Sequence, residues 1–206
     1  MSHWIAVLRP TSTSVIRVTM RVWKESGSAG FPRIHRRDAV IPYMGLGGKG
    51  SRVEVALTLV AKDSKLKIER IETSRAPAPF SHEPQAIKVG NLLFFSQQLP
   101  CDENGLLIRE GARDPNFPYY GLASRAQMRY MLKNVSAICE AAGSSLENVV
   151  RRACFHDTGE RFAESMEEWA SHFPDRKPAS TTLIIGGPLV IPGAHTLSDL
   201  IAYVLD

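Results

Sequence analysis

The chain of 206 residues has few cysteines, no long apolar run and only a small excess of positive charge. Its three cysteines are an odd number without paired spacing, which favours free thiols in a reducing compartment and argues against a metal site. The apolar runs are too short to cross a membrane, and the start lacks the basic-then-apolar layout of a secretory signal. We therefore expect a cytoplasmic protein without a membrane segment or a bound metal.

Two further absences exclude whole classes of function. The net charge is +4, and the adjacent arginines Arg36-Arg37 and Arg151-Arg152 are too sparse for a nucleic-acid-binding surface. The glycine-rich residues 45–50 match no phosphate-binding loop, because no helix with a Lys-Ser/Thr pair follows them. With 44% hydrophobic and 22% charged residues, the composition is that of a globular protein able to bury a core.

The clearest structural signal is a hairpin between residues 85 and 99. Two short apolar runs flank Gly90 and Asn91, which both tolerate positive φ at low cost and so favour a tight turn. The polar residues Ser96 and Gln97 follow the second run directly. Because sites tend to form where strands end, these two residues are a candidate pocket edge.

Hydrophobic periodicity predicts further elements on both sides of the hairpin. Strands are expected over residues 15–23, 38–44, 52–60, 66–71, 149–155, 181–185 and 197–205. Helices are expected over residues 124–142 and from about 160 to 172. Residues 1–14 carry no clear pattern. From residue 66 onward, this order predicts an α+β domain whose helices pack on one face of a sheet.

The longer helix has a predicted start, end and buried face. Ser124 followed by Gln127 has the pattern of a capping box, and Gly143 is expected to end the helix. Apolar residues recur at helical spacing, so we expect Met131 in the core and Arg129 facing solvent.

Several short segments occur in the order that is typical of one known family. They are Ala76-Pro77, residues 85–96, Leu99-Pro100, Asn134-Val135, residues 141–151, Pro178-Ala179 and residues 199–202. In these segments residues 66–206 resemble the Rid family of reactive intermediate deaminases, also called YjgF-like or L-PSP endoribonuclease-like. The resemblance implies a chorismate-mutase-like fold and a homotrimer with pockets between neighbouring subunits. It also implies cofactor-free hydrolysis of enamine or imine intermediates to a keto compound and ammonia.

Residues 1–62 resemble the back half of a second, partial copy that consists of strands only. An alignment of the two segments without gaps pairs Arg37 with Ser180, Ile41 with Ile184 and Ala56 with Asp199. The alternative is an unrelated β extension. If the duplication holds, one copy keeps an arginine and the other keeps an acid, and a composite site can draw on both.

The candidate site departs from the family pattern. Where deaminating members carry Pro-Ala-Arg-Ser, the serine Ser180 takes the place of the arginine that binds the substrate carboxylate. Glu83 stands in place of a tyrosine, Gln97 replaces a small glycine, and Asp199 is one methylene shorter than the usual glutamate. These changes argue against a standard amino-acid-derived enamine as the substrate.

Three residues are candidate catalytic groups: the resemblance implies the acid Asp199, the partial second copy suggests Arg37, and Glu83 takes the place of the family's tyrosine. The alternative for Arg37 is that Arg36-Arg37 is a solvated basic pair. Asp199 would orient or deprotonate water, Arg37 would anchor a substrate carboxylate, and Glu83 is a second acid/base candidate. The candidate pocket residues are Ser96, Gln97, Ser180, Thr182 and Met166. The expected substrate is an anionic imine or enamine.

Two other functions remain open. A non-catalytic small-molecule-binding or assembly module would keep the fold without the arginine, and single-strand RNA cleavage rests only on the family's alternative label.

His156 and Asp157 resemble a catalytic dyad, but adjacent residues on a strand point to opposite faces. His195 has no partner that the sequence identifies.

Overall fold

The chain forms two compact units. The computed structural model describes residues 3–8, 40–42, 53–58, 60, 64–79, 83–112 and 123–205. One unit comprises Met1–Ile34 with Met44–Lys65, and the other comprises His35–Tyr43 with Leu66–Asp206. The segment 35–43 therefore groups with the larger unit, whereas the sequence assigned it to the N-terminal part.

The smaller unit contains a pair of antiparallel strands. Strand β1 (His3–Leu8) pairs along its full length with β2 (Val53–Thr58). The second strand confirms the expectation for residues 52–60. The first was not expected, and that reading was wrong because an uninterrupted apolar run carries no period-two signal. The strand predicted over residues 15–23 lies outside the described residues, and the partial copy stays a prediction.

The larger unit is built on a six-stranded mixed sheet. Its strands are β3 (Ile68–Ile71), β4 (Ala86–Val89), β5 (Leu92–Phe95), β6 (Val149–His156), β7 (Ala179–Ile184) and β8 (Thr196–Tyr203). Their order across the sheet is β3-β4-β5-β8-β6-β7, and β6 and β7 form the parallel pair. Each strand predicted from residue 66 onward is present. The predicted hairpin is β4–β5, and Gly90 in its turn has a φ of +56°.

Helices α2 (Ala123–Ala141) and α3 (Phe162–Ser171) cover one face of this sheet, as the sequence predicts. A short helix α1 (Arg109–Ala112), which the sequence did not predict, packs against α2. Turns of 3-10 helix occur at Leu146–Asn148 and Gly159–Arg161. Helix α2 ends as expected, since Gly143 has a φ of +77° and Ser144 N donates to Cys139 O at 2.8 Å. Within the described residues, no helix combines the length and the apolar character that crossing a membrane requires.

The predicted capping box at the start of α2 is wrong. The hydroxyl of Ser124 donates to Glu164 Oε2 at 2.6 Å instead of binding its own helix. Gln127 Nε2 donates to Gly111 O and Gly193 O, both at 2.9 Å. Both side chains of the predicted capping box therefore form hydrogen bonds with residues outside α2.

The two faces of the sheet bury different sets of residues. The face that carries the helices, here called the helix face, buries Cys154 and Leu200 against α2 and α3. The opposite face, here called the open face, buries Ala153, Phe155 and Leu197 beneath the loop that precedes β8. Successive residues of β6 and β8 thus alternate between two separate cores.

The edge strand predicted over residues 38–44 is not present at the three residues of it that the structure describes. Val40, Ile41 and Pro42 have no strand partner, and Val40 N donates to the side-chain oxygen of Gln97 at 2.6 Å. Ile41 packs on the apolar cluster of the open face. The side chain of Gln97 therefore accepts the hydrogen bond of a backbone N–H group that a strand would donate to a neighbouring strand.

Candidate functional site

The sheet separates the predicted site residues into two groups. Asp199 is in register with Ala153, which belongs to the open face. Thr182 is in register with Cys154, which belongs to the helix face, and Ser180 lies two residues before it on the same side of β7. Within one chain these residues do not line a single pocket.

On the open face, Asp199 and Gln97 lie side by side. The backbones of Gln98 and Ser198 exchange hydrogen bonds of 2.9 and 3.1 Å in an antiparallel bridge. Gln97 precedes the first of these residues and Asp199 follows the second, so the two are neighbours across the bridge. Arg151 Nη1 donates to Asp199 Oδ2 at 3.2 Å, and the Asp199 side chain is 14% exposed. Gln97 Nε2 is buried without a hydrogen-bond partner among the described residues. The pair therefore combines a carboxylate with a buried amide donor that is unpaired among the described residues.

The other predicted residues near this face have different surroundings. Ser96 is fully buried and its hydroxyl donates to Pro84 O at 2.6 Å, so it holds the loop before β4. Glu83 is half-buried in that same loop. Arg37 lies outside the described residues.

On the helix face, the predicted residues border a groove beside the edge strand β7. A cavity of about 270 Å³ is lined by Gly159, Phe162, Thr182 and Ile184, and we call it the β7–α3 groove. Ser180 is exposed on the same strand.

Sequence reasoning missed a buried polar cluster behind this groove. Arg152, Cys154 and His156 occupy alternate positions of β6 on the helix face, and each is 0% exposed. Arg152 stacks on the ring of Trp169, with 4.1 Å from Cζ to the ring centroid, and its Nη2 donates to Met166 Sδ at 2.7 Å. The available signal was the alternation itself, which puts an arginine, a thiol and an imidazole on one face of a buried strand.

Cys154 differs electrostatically from the other two cysteines. Burial raises the pKa of Cys101 to about 11 and that of Cys139 to about 12. Burial also opposes ionisation of Cys154, but the hydrogen bond from His156 and the charge of Arg152 lower its pKa to about 7. Its Sγ lies 3.4 Å from His156 Nε2, so a thiolate is stabilised at this position near neutral pH.

His156 and Asp157 have separate partners, Cys154 and His195, and the structure supplies the partner for His195 that the sequence does not identify. His195 Nδ1 lies 2.8 Å from Asp157 Oδ2, and its backbone N donates to Gln127 Oε1 at 2.7 Å. These contacts tie the end of β6 to the start of β8. Among the residues that the structure describes, no three His, Cys, Asp or Glu side chains form a group that could hold a metal ion.

Comparison with known proteins identifies relatives of the larger unit. The family model described as Endoribonuclease L-PSP matches residues 73–187, more than half of the chain. A RutC family protein of Pyrococcus horikoshii is 36% identical over 112 residues, which cover 54% of this chain and 79% of that protein. Reactive Intermediate Deaminase A of Arabidopsis thaliana is 30% identical over 133 residues, covering 64% and 65% of the two chains.

Solved structures agree with this likeness. RidA from an Antarctic Psychrobacter species is 29% identical with a TM-score of 0.54, covering 66% of this chain and 99% of that one. A putative endoribonuclease of Thermotoga maritima is 27% identical with a TM-score of 0.55, covering 67% and 98%. The six-stranded sheet and its helices therefore have the chorismate-mutase-like fold that the sequence predicts.

Proposed function

Because the chain belongs to the endoribonuclease L-PSP (Rid) family, we propose that it hydrolyses an imine or enamine to a carbonyl compound and ammonia. The observation that carries this proposal is the pairing of Asp199 with Gln97 on the open face. Hydrolysis of a C=N bond needs a base for water and a donor for the substrate, and these two side chains supply both. One similar protein is itself named a reactive intermediate deaminase.

The reaction needs water and no bound cofactor. With the imine protonated on nitrogen, Asp199 takes a proton from water as the oxygen attacks the carbon, which gives a carbinolamine. The protonated carboxyl then gives its proton to the nitrogen, and the C–N bond breaks. The C=O bond forms as the hydroxyl proton passes through Asp199 to the departing ammonia, which leaves as ammonium. An enamine first accepts a proton on carbon and then follows the same course. Arg151 holds the carboxylate in place, and Gln97 Nε2 donates to a polar group of the substrate.

Arg37 is our proposed anchor for the substrate carboxylate. It lies three positions before Val40 in the sequence. Val40 is itself hydrogen-bonded to Gln97. Glu83 remains a second acid/base candidate.

We further propose that a homotrimer completes the site. Ser180 and Thr182 lie across the sheet from Asp199, so they can join it only when they come from a neighbouring copy of the chain.

The three cysteines are free thiols, which suits the reducing cytoplasm.

The test is ammonia release from an imino acid that is generated in the assay. Asp199→Asn should lower kcat by about 10²- to 10⁴-fold, the usual contribution of a general base. Asp175→Asn, a change at an exposed loop position, is the matched control and should leave turnover unchanged. Arg37→Ala should mainly raise KM. Equal activity in the Asp199→Asn variant and the wild type would rule out this mechanism.

The replacement of the family's arginine by the exposed Ser180 supports a second candidate, a ligand-binding module without catalysis. In that case the wild type would release no ammonia, yet small carboxylates would raise its melting temperature. The mild net charge gives RNA cleavage no support.

A further inference from the structure

The buried guanidinium of Arg152 has no carboxylate partner among the described residues. Its Nε and Nη1 have no hydrogen-bond partner there, and Nη2 donates only to the sulfur of Met166. The cation–π contact with Trp169 satisfies no N–H group. An arginine stays charged in proteins, and a charge without a counter-ion is costly to bury. We therefore expect another ionisable group on the same face of β6 to act as its counter-ion.

Cys154 lies two positions after Arg152 on this face and is surrounded by groups that stabilise its anion. Its Sγ lies 3.4 Å from His156 Nε2, 3.3 Å from Thr196 Oγ1 and 3.8 Å from Ser198 Oγ. Burial alone would raise the pKa of the thiol, but the hydrogen bond from His156 and the charge of Arg152 lower it to about 7. The arrangement thus pairs a thiolate with an imidazole that can hold its proton.

The other two cysteines of the chain have the opposite surroundings. Cys101 and Cys139 are also free and buried. Burial raises the pKa of the first to about 11 and that of the second to about 12, and the nearby carboxylates of Asp102 and Glu140 add to the rise. The thiolate, and not the thiol, is the nucleophile. Of the three cysteines, Cys154 therefore has the reactive form within reach at neutral pH.

We propose that Cys154 is a peroxide-reactive thiol that hydrogen peroxide oxidises to a sulfenic acid. His156 Nε2 takes the thiol proton, and the thiolate attacks one oxygen of the peroxide. The O–O bond breaks as the S–O bond forms, so the sulfur is oxidised by two electrons and the peroxide is reduced. The departing hydroxide takes the proton from His156 and leaves as water, while Arg152 stabilises the anionic sulfur before the attack.

The full burial of Cys154 selects a small oxidant. The partly exposed ring of Phe162 contacts the ring of His156 edge-on, with 5.8 Å between centroids. Rotation of this one side chain would open a path from solvent to the imidazole and the thiol. Hydrogen peroxide is small and uncharged, which suits such a path. Asp199 and Gln97 lie on the opposite face of the sheet, so peroxide reduction and the proposed hydrolysis use different groups.

A purely structural role is the competing explanation for this cluster. Cys154 could serve as the counter-ion of Arg152 without reacting, and the contacts would be the same. Only the reactive role predicts selective oxidation of Cys154 in the folded protein. Oxidation through unfolding would instead expose all three cysteines and oxidise them together.

The test compares the three cysteines within one chain. The whole protein is treated with hydrogen peroxide, catalase removes the excess, and the protein is then unfolded in dimedone, which labels sulfenic acids. Peptide mass spectrometry measures the label at each position. Cys154 should be labelled about tenfold faster or more than Cys101 and Cys139, although Cys101 is more exposed than Cys154, at 8% against 0%. Equal rates at the three positions, or no label at Cys154, would overturn the proposal.

Variants of the neighbouring groups test how the thiol is activated. His156→Phe, which keeps a ring without a base, and Arg152→Met should each slow labelling of Cys154 about tenfold or more. Arg176→Met, at an exposed loop position, is the matched control and should stay within about threefold of wild type. Thr196→Val is nearly isosteric and covers the case in which the first two variants do not fold. It removes one hydroxyl donor and should slow labelling about threefold or more.

Circular dichroism establishes which variants are folded. Labelling of Cys154 at the wild-type rate in folded His156→Phe, Arg152→Met or Thr196→Val would overturn the proposal. None of these readouts depends on ammonia release.

Discussion

At the scale of single residues, buried amide side chains hold the loops around the sheet. Gln85 is almost fully buried, and its Nε2 lies 3.0, 2.8 and 3.0 Å from the backbone oxygens of Thr73, Ala76 and Pro77. Its Oε1 accepts from Thr73 N at 2.6 Å. One side chain thus satisfies four backbone groups of a loop that has few ladder bonds of its own.

Gln85→Leu is therefore expected to destabilise the protein although leucine has a similar size. The change should cost about 1–3 kcal/mol for each buried group that is left unpaired. Urea denaturation measures the free energy of unfolding, and Glu103→Ala at an exposed turn should stay within about 0.5 kcal/mol of wild type. Similar losses for the two variants would mean that the glutamine does not hold this loop.

At the scale of elements, a bidentate ion pair joins α2 to α3. Arg129 Nε and Nη2 donate to the two carboxylate oxygens of Glu168, both at 2.9 Å, and Glu168 is only 8% exposed. Arg129 faces outward, as its place in the helical pattern indicates. Its partner, however, lies on a helix 39 positions away in the chain, which the pattern does not reveal.

Arg129→Ala should cost about 1–3 kcal/mol, because it leaves a mostly buried carboxylate with its main partner removed. Lys133→Ala, at an exposed position one turn along the same helix, should cost no more than about 0.5 kcal/mol. Thermal or urea unfolding of the two variants gives the comparison. Equal costs would show that the ion pair contributes nothing to stability.

The same pair predicts a dependence on pH. Burial alone would raise the pKa of Glu168, but the hydrogen bonds and charge of Arg129, aided by His172, lower it overall. A lowered acid pKa stabilises the fold above its usual value of 4.5, and this contribution disappears as the pH falls through the lowered pKa. The difference in unfolding free energy between wild type and Arg129→Ala should therefore shrink on acidification below pH 4.5. A constant difference would contradict this assignment.

At the scale of the whole molecule, the edge of the larger sheet is unprotected in the single chain. Strand β7 pairs with β6 on one side, and nothing in the described residues pairs with its other edge. Leu183 on this strand is 43% exposed and faces the open side. Exposed apolar edge strands favour association with other chains.

We therefore expect light scattering at micromolar concentration to give about three times the chain mass of 22.8 kDa. Leu183→Glu should shift the protein toward single chains, whereas Leu205→Glu, exposed after the end of β8, should leave the mass unchanged. Circular dichroism would establish that each variant is folded. A wild type with the mass of one chain would refute the trimer.

The sequence by itself determined the strands of the six-stranded sheet and the two long helices of the larger unit. Gly90-Asn91 marks the hairpin and Gly143 ends α2, because positive φ is a property of the residue and its immediate neighbours. The family-typical segments were sufficient to predict the fold. The pattern could not locate β1, whose apolar run does not alternate.

Only the tertiary structure decided how the site residues group. It placed Asp199 and Thr182 on opposite faces of one sheet, and it stacked Arg152 of β6 on Trp169 of α3. It also directed Gln127 away from its own helix terminus to distant backbone oxygens. The physical reason is that hydrogen bonds and ion pairs depend on which side chains meet in space, and strand order and register set that, whereas local propensity acts only over neighbouring residues.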